Sequence, residues 1–221
     1  MDPSADEPSP GPATAALPPN HHGDHPGFRG PVSYLIGLSM VVAHRHDADL
    51  VCDLTGVGAG DTVVDIGCGP GTAARMAARR GAAVTGIDPS PAMLRLARLL
   101  TVVQPWRRTG PVTWLQAGVE DMPLADDSTS TCWSLAAVHH WPHLEEGLGE
   151  VHRILRPGGT FLALERLTEA GATGMASHGW TPDQADAFAR LLTDRGFTDA
   201  RVQRHEVGRS RRVITVTATR P

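Results

Sequence analysis

The alternation of apolar and polar positions along the chain predicts short buried strands that alternate with amphipathic helices. From Val32 to about Leu54, apolar residues recur near every third or fourth position, as on one face of a helix. Apolar runs of strand length follow, namely DTVVDIG, AAVTGID, VTWLQ, STCWSLAAV and TFLALE. Stretches of helical period alternate with them or follow them, namely GTAARMAARRG, SPAMLRLARLL, LEEGLGEVHRILR and TPDQADAFARLLTDRG. This order favours an α/β fold with a parallel sheet.

The C-terminal end of the chain departs from that alternation. Two strand-like segments, ARVQRHEV and RRVITVTA, stand on either side of GRS, which predicts a hairpin and therefore an antiparallel strand in the sheet. The pattern contains no internal repeat and no sign of a second domain. We predict one doubly wound, Rossmann-like α/β domain over residues 29–221.

Composition separates residues 1–28 from that domain. They are rich in Pro, Gly, Ser, Ala and Asp, have little to bury, and are predicted to form a disordered tail. His21, His22 and His25 in this tail could hold a metal ion, but no buried scaffold fixes them, so a solvated tail is favoured. We therefore predict no metal site.

Charge, cysteine content and the apolar runs indicate which partners and which cellular location are expected. A net charge of -4 gives no indication of a nucleic-acid partner. The three cysteines show no metal or redox spacing, which favours a reducing, cytoplasmic location. The first ten residues lack the order of a signal peptide, and the longest apolar run, PVSYLIGLSMVVA, is too short to cross a bilayer.

The segment VVDIGCGPGT places Gly67, Gly69 and Gly71 at the first strand-to-helix turn. Ligands of doubly wound sheets bind beyond the carboxyl ends of the strands, and missing side chains let a ligand approach the backbone and the helix N-terminus. A dinucleotide site would need the spacing G-x-G-x-x-G, but the spacing is G-x-G-x-G, with Thr72 at the last glycine position. A tight turn without a ligand is the alternative interpretation.

Two later turns carry polar groups at the same predicted edge of the sheet. Asp88 ends the second strand in GIDPS, where a carboxylate can accept both hydroxyls of a ribose, or can cap the helix that begins near Ser90. After the third strand, the backbone of Gly118 and Val119 and the carboxylate of Glu120 or Asp121 stand where an adenine edge could be bound. An ordinary polar loop is the alternative there.

Together, VVDIGCGPGT, VTGIDPSPAML, EDMPL and SLAAVHHW…GEVHRILRPGG resemble the class I S-adenosylmethionine-dependent methyltransferases. The resemblance is to their small-molecule group, which includes the ubiquinone/menaquinone-biosynthesis type, and it covers roughly Asp61 to Glu165. It implies a sheet of order 3-2-1-4-5-7-6 with strand 7 antiparallel. It also implies S-adenosylmethionine as co-substrate, a small-molecule acceptor, a monomer or homodimer, and a helical lid over residues 29–55.

The resemblance also implies roles for individual residues. Asp65 would orient the amino group of the methionyl tail, Asp88 would hold the ribose, and the Val119 N–H would bind the adenine ring. The residues so predicted to bind the cofactor are Tyr34, Asp65, Gly67, Cys68, Gly69, Gly71, Asp88, Pro89, Ser90, Met93, Gly118, Val119, Glu120 and Ala136.

Two positions depart from the pattern of that family. The family often has Asp where this chain has Gly118, to accept from the adenine amino group; either Glu120 substitutes for it or that hydrogen bond is lost. The family often begins the fourth strand with Asp, where this chain has Ser130. Both departures bear on the affinity for the cofactor rather than on its identity.

The chemistry implied by the resemblance needs little from side chains, because the methyl group of a sulfonium is already activated. Alignment of the acceptor and exclusion of water can supply much of the rate. If a general base is used, His140 and then His139 are the first candidates, although the HHW position is often structural in this family. His178, in ASHGW, is a further side chain that could reach the acceptor.

Two other functions are compatible with the same residues. A nicotinamide-dependent oxidoreductase is disfavoured by Thr72 and by the absence of lysine, which rules out a Tyr-x-x-x-Lys pair. A non-catalytic S-adenosylmethionine-binding module is the other alternative, because Gly118 and Ser130 depart from the enzyme family's pattern.

Overall fold

The computed structural model describes residues 32–103, 110–208 and 210–221. The predicted tail over residues 1–28, with its candidate histidine site, lies outside the described residues. The helices of the described chain are α1 (Val32–Ala43), α2 (Arg45–Thr55), α3 (Thr72–Arg79), α4 (Pro91–Val103), α5 (Leu144–Ile154) and α6 (Pro182–Asp194). Short 3-10 turns cover Val138–His140 and Gly174–Ser177.

The strands are β1 (Thr62–Ile66), β2 (Ala83–Ile87), β3 (Val112–Leu115), β4 (Thr129–Leu135), β5 (Leu155–Arg166), β6 (Thr198–Val207) and β7 (Arg211–Thr219). They form one sheet of order β3-β2-β1-β4-β5-β7-β6. β1 pairs in parallel with β2 and β4, whereas β7 pairs antiparallel with both β5 and β6. The predicted fold class, strand order and closing hairpin are therefore confirmed.

The core lies on both faces of this sheet, because the central strands are buried on both sides. Along β5, Phe161 and Ala163 face one apolar cluster, whereas Leu162 and Leu164 face the other. This alternation follows the period of two of a β-strand. The two apolar layers hold the central strands rigidly, so their carboxyl ends can present loops in defined positions.

The segment from Val32 to Leu54 differs from its prediction as one helical stretch. It forms two helices that are separated at His44, whose backbone leaves the helical path before α2 begins. Apolar residues of α1 such as Leu35 and Val42 are exposed, while Gly37 lies against Met93 and Leu96 of α4. Within the described residues, no helix combines the length and the apolar character needed to cross a membrane.

Candidate active site

The turn between β1 and α3 has the conformation that its glycines allow. Gly67, Gly69 and Gly71 have φ angles of 70°, 51° and 74°. These values lie in the left-handed region, which side chains disfavour. The amides of Gly67 and Cys68 both donate to the carbonyl of Ile87 at 2.9 Å, which ties this turn to the end of β2.

The space beside these glycines is filled mostly by the protein itself. A Cβ at Gly67 would stand 2.6 Å from Cβ of Ala137, and a Cβ at Gly71 would overlap the ring of Trp114. Only Gly69 faces a flexible group, because its Cβ would lie 3.5 Å from Cε of Met40 on α1. Packing therefore explains the glycines at 67 and 71, which the sequence analysis assigned to close approach of a ligand.

Asp88 joins the glycine turn to the start of α4. Its Oδ2 accepts from the Gly69 amide at 2.8 Å, and its Oδ1 accepts from the Ser90 amide at 2.8 Å. Burial raises the pKa of the carboxyl, and the two amide bonds oppose that rise. Because a carboxylate offers about four acceptor sites, Asp88 keeps acceptor capacity for a further partner.

Asp65, at the end of β1, lies beneath the same turn. It is buried, and its Oδ2 accepts from the Ala74 amide at 3.0 Å in the first turn of α3. Burial raises the pKa of Asp65 to about 7, although the Ala74 bond lowers it. This carboxyl can therefore change its protonation state near neutral pH.

The α1–α2 segment closes over the turn. A cavity of about 30 Å³ remains there, lined by Met40, His44, Asp65, Gly67, Cys68, Pro70, Thr72, Ala73 and Leu135. Cofactor sites usually measure several hundred Å³, so this cavity could hold only a part of such a ligand. Sequence reasoning missed Met40 and His44, and no local motif marks them.

Several other residues predicted to bind the cofactor lie outside this cavity or are packed within the protein. Tyr34 is 37% exposed on α1 and does not line the cavity. Met93 is buried against α1, and Pro89 is exposed beside the start of α4. Burial raises the pKa of the Cys68 thiol well above its ordinary value, so this thiol is a neutral, small side chain within the turn.

The loop after β3 brings Glu120 back over Gly118. Its Oε2 lies 2.5 Å from the position that a Cβ on Gly118 would occupy. Its Oε1 is buried and has no hydrogen-bond partner among the described residues. The side chain of Val119 is buried in the core. The Glu120 carboxylate thus occupies the space that a side chain at position 118 would take.

The loop after β4 begins with a tight turn at Ala136. This residue has a φ of 51°, and its amide donates to the Leu164 carbonyl at 2.7 Å. The turn directs Val138–His140 back over the end of β5, where Nδ1 of buried His139 lies 2.9 Å from Oε2 of Glu165. Trp141 is buried against Gly147 of α5, so it anchors the loop in the core.

His178 reaches this loop from a segment far along the chain. The Trp180 amide donates to the Arg166 carbonyl at 2.9 Å, and Trp180 itself is buried. Gly179 permits this approach, since a Cβ there would overlap the carbonyl oxygen of Arg166. The ring centroid of His178 lies 5.5 Å from that of His139 and 6.0 Å from that of His140. The structure therefore brings all three predicted histidines together.

The central part of the chain is similar to a known protein family. Residues 64–163 match the family described as the methyltransferase domain. The demethylmenaquinone methyltransferase of Tropheryma whipplei (strain Twist) is 37% identical over 131 residues, which are 58% of this chain and 52% of that protein. The malonyl-[acyl-carrier protein] O-methyltransferase of Pseudescherichia vulneris is 36% identical over 115 residues, 52% of this chain and 43% of that protein.

Among solved structures, the fold is similar to that of a SAM-dependent methyltransferase from Aquifex aeolicus. The TM-score is 0.69, with 19% identity over 87% of this chain and 100% of that chain. This likeness concerns the fold alone. The chain covers about half the length of the curated relatives. The family match and the two relatives confirm the resemblance to S-adenosylmethionine-dependent methyltransferases that the sequence motifs indicate.

Proposed function

We propose, from the match of residues 64–163 to the methyltransferase domain family, that this chain transfers a methyl group from S-adenosylmethionine to a small-molecule acceptor. The observation that carries the proposal is the Asp88 carboxylate bonded to the Gly69 amide where β1 and β2 end. This arrangement places an acid and bare backbone at the edge where doubly wound sheets bind ligands.

Two buried carboxylates and the half-buried Glu120 have the chemistry to hold the three parts of the cofactor. Asp88 would accept the ribose hydroxyls through the acceptor sites that its amide partners leave. Asp65, once ionised, would attract the cationic amino group of the methionyl tail. The Oε1 atom of Glu120, buried without a partner among the described residues, would accept from the adenine amino group. On this proposal Glu120 replaces the acid that the family often has at position 118.

The reaction would take place between the glycine turn and the loop after β4, which meet where Ala137 lies against Gly67. A lone pair of the acceptor attacks the methyl carbon in line, the C–S bond breaks, and S-adenosylhomocysteine leaves. Met40 and the rest of the α1–α2 segment, proposed as the lid, would exclude water during this step.

A proton of the acceptor also has to leave when the acceptor is a phenol or an enol. His140 and His139 are the candidate bases, and Glu165 gives His139 a fixed ring orientation.

The three cysteines are buried free thiols, which supports the proposed cytoplasmic location. A monomer or homodimer is proposed, with size-exclusion chromatography as its test.

The proposal is tested by calorimetric titration of the full chain with S-adenosylhomocysteine, followed by incubation with methyl-labelled donor and a panel of phenols, quinols and amines. We expect saturable binding and transfer of label to at least one acceptor. Binding without transfer to any compound would support the non-catalytic binding module instead. Saturable binding of NADH with none of S-adenosylhomocysteine would refute the proposal.

A further inference from the structure

His139, His140 and His178 form a cluster that methyl transfer as such does not require. One ring nitrogen from each lies within 4.8 Å of the others. His139 is buried, His178 is half-buried and His140 is exposed, so the cluster extends from the core to the surface. Histidines converge in this way in sites that bind metal ions through neutral imidazoles.

The contact of His139 with Glu165 involves only one of its two ring nitrogens. Glu165 is fully buried, and its Oε2 lies 2.9 Å from Nδ1 of His139. With the proton of the neutral imidazole on Nδ1, donated to this carboxylate, Nε2 carries a lone pair. Nε2 is buried and has no hydrogen-bond partner within the part of the chain that the structure describes. A buried acceptor in this state is costly, so a bound partner would stabilise the site.

A carboxylate behind a histidine is also the usual outer partner of a metal-binding imidazole. Such a carboxylate fixes the tautomer and the orientation of the ring, and it makes the opposite nitrogen a stronger ligand. Glu165 has this relation to His139. A cation beyond the ring would in addition compensate the charge of a carboxylate that lies out of contact with water.

We propose that Nε2 of His139, together with His140 and His178, binds a divalent transition metal such as zinc, with one coordination position open. In a tetrahedral zinc site, ligand nitrogens lie about 3.3 Å apart. The present separations of up to 4.8 Å therefore have to shorten by about 1.5 Å. His140 and His178 can make this adjustment, because neither ring is fully buried.

The site would also define the class of acceptor, and this step rests on the proposed function. The cluster follows directly on Ala137, which lies against the glycine turn, so an acceptor held beside the donor methyl would lie near the cluster. An acceptor with a hydroxyl or enol oxygen could coordinate there and lose its proton to solvent water. A bound ion would thus replace the imidazole base considered above: it would lower the pKa of the coordinated hydroxyl, and His139 would serve as a ligand through Nε2.

The test is a titration of the untagged, chelator-treated full chain with Co²⁺, followed by absorption spectroscopy, and with Zn²⁺ in a calorimeter. The chain carries His21→Ala, His22→Ala and His25→Ala, so that the N-terminal histidines contribute nothing. We expect one equivalent of Co²⁺ with the strong visible bands of a four-coordinate site. His178→Ala and His140→Ala should each weaken zinc binding at least about 100-fold, and Glu165→Gln should weaken it about 10- to 100-fold.

His143→Ala is the matched control, because His143 is an exposed histidine three positions beyond His140 and outside the cluster. It should leave zinc binding unchanged. Absence of stoichiometric binding, or equal losses in His143→Ala and His140→Ala, would overturn the proposal. S-adenosylhomocysteine binding, measured on the same samples, separates this failure from failure of the proposed function. Circular dichroism shows whether each variant is folded.

Discussion

The two halves of the candidate site are built from different parts of the polypeptide. At the cofactor end, backbone groups between Gly67 and Ser90 are joined through the single carboxylate of Asp88. At the histidine end, side chains from three separate segments meet, namely His139, Glu165 and His178. Because a backbone-built site depends on a short motif, it can be shared across a family. A side-chain cluster of this kind depends instead on contacts between residues that are far apart in the sequence.

The substitution expected to disrupt the glycine turn of the cofactor end most is Gly71→Ala. The new Cβ would overlap Trp114 at a φ of 74°, so the turn has to move. We expect a loss of about 2–4 kcal/mol in the free energy of unfolding and at least a 100-fold loss of S-adenosylhomocysteine affinity. Denaturant unfolding and calorimetry measure the two effects.

Gly158→Ala is the control for backbone strain alone. Gly158 has a φ of 77°, but nothing lies within 4 Å of its Cβ position. This variant should cost about 1 kcal/mol of stability and leave cofactor affinity intact. Equal effects of the two substitutions would show that the contact with Trp114 is unimportant.

A smaller change at the same end is Asp88→Asn. The side-chain NH2 of Asn would replace one of the two carboxylate oxygens, so a donor would face the N–H of either Gly69 or Ser90. The ribose would also lose a charged acceptor. We expect S-adenosylhomocysteine affinity to fall about 30- to 100-fold by calorimetry. Asp61→Asn is the control, since Asp61 accepts from Gly58 at 3.0 Å at the opposite end of β1. If Asp61→Asn weakens cofactor binding as much, Asp88 has no special role.

Gly179→Ala tests whether the histidine end can be altered without changing the cofactor end. Its Cβ would overlap the carbonyl of Arg166 and displace His178. Zinc affinity should fall about 10-fold or more, whereas S-adenosylhomocysteine affinity should stay within twofold. Gly174→Ala, in the same segment with nothing within 4 Å, should change neither quantity. A parallel loss of both affinities in Gly179→Ala would mean that the two ends are coupled.

The mildest test is the pH dependence of the cofactor end. Asp65 ionises with a pKa of about 7, and a cationic amino group on the ligand favours the ionised form. Affinity for S-adenosylhomocysteine should therefore rise about tenfold between pH 6 and pH 8. Asp65→Asn should bind more weakly but with a flat profile over the same range. A wild-type profile as flat as that of the variant would contradict this role.

Ionisation of Asp65 should favour ligand binding but lower the stability of the folded chain. Its pKa is raised from the ordinary value of 3.8 to about 7 in the folded chain. The folded state thus binds the proton more tightly, and the free energy of unfolding should fall as pH rises through this interval. Chemical denaturation of wild type and Asp65→Asn at several pH values measures this slope.

The motifs predicted the alternating elements of the fold correctly because their signals are local, whereas the cofactor roles of Asp88 and the glycine turn stay predictions. Strand and helix periods identified the alternating elements, and the RRVITVTA hairpin identified the antiparallel strand. The carboxylate of Asp88 lies next to Gly69 because two neighbouring parallel strands end at the same edge. Prediction failed where a contact depends on packing, as with Trp114 beside Gly71 and Met40 over Gly69.

By itself, the sequence determined the succession of strands and helices along the chain and the position of the glycine turn, because backbone hydrogen bonding and hydrophobic period act over short stretches. The order of the strands within the sheet was implied by the family resemblance and not by these local patterns. Only the tertiary structure decided that His178 lies beside His139 and that Glu165 orients it. These residues share no periodicity or motif spacing, and they meet because β4 and β5 end at one edge and Gly179 lets a later segment approach it. The residues by which this helical segment meets the glycine turn, Met40 and His44, were likewise settled by packing between elements distant in the chain.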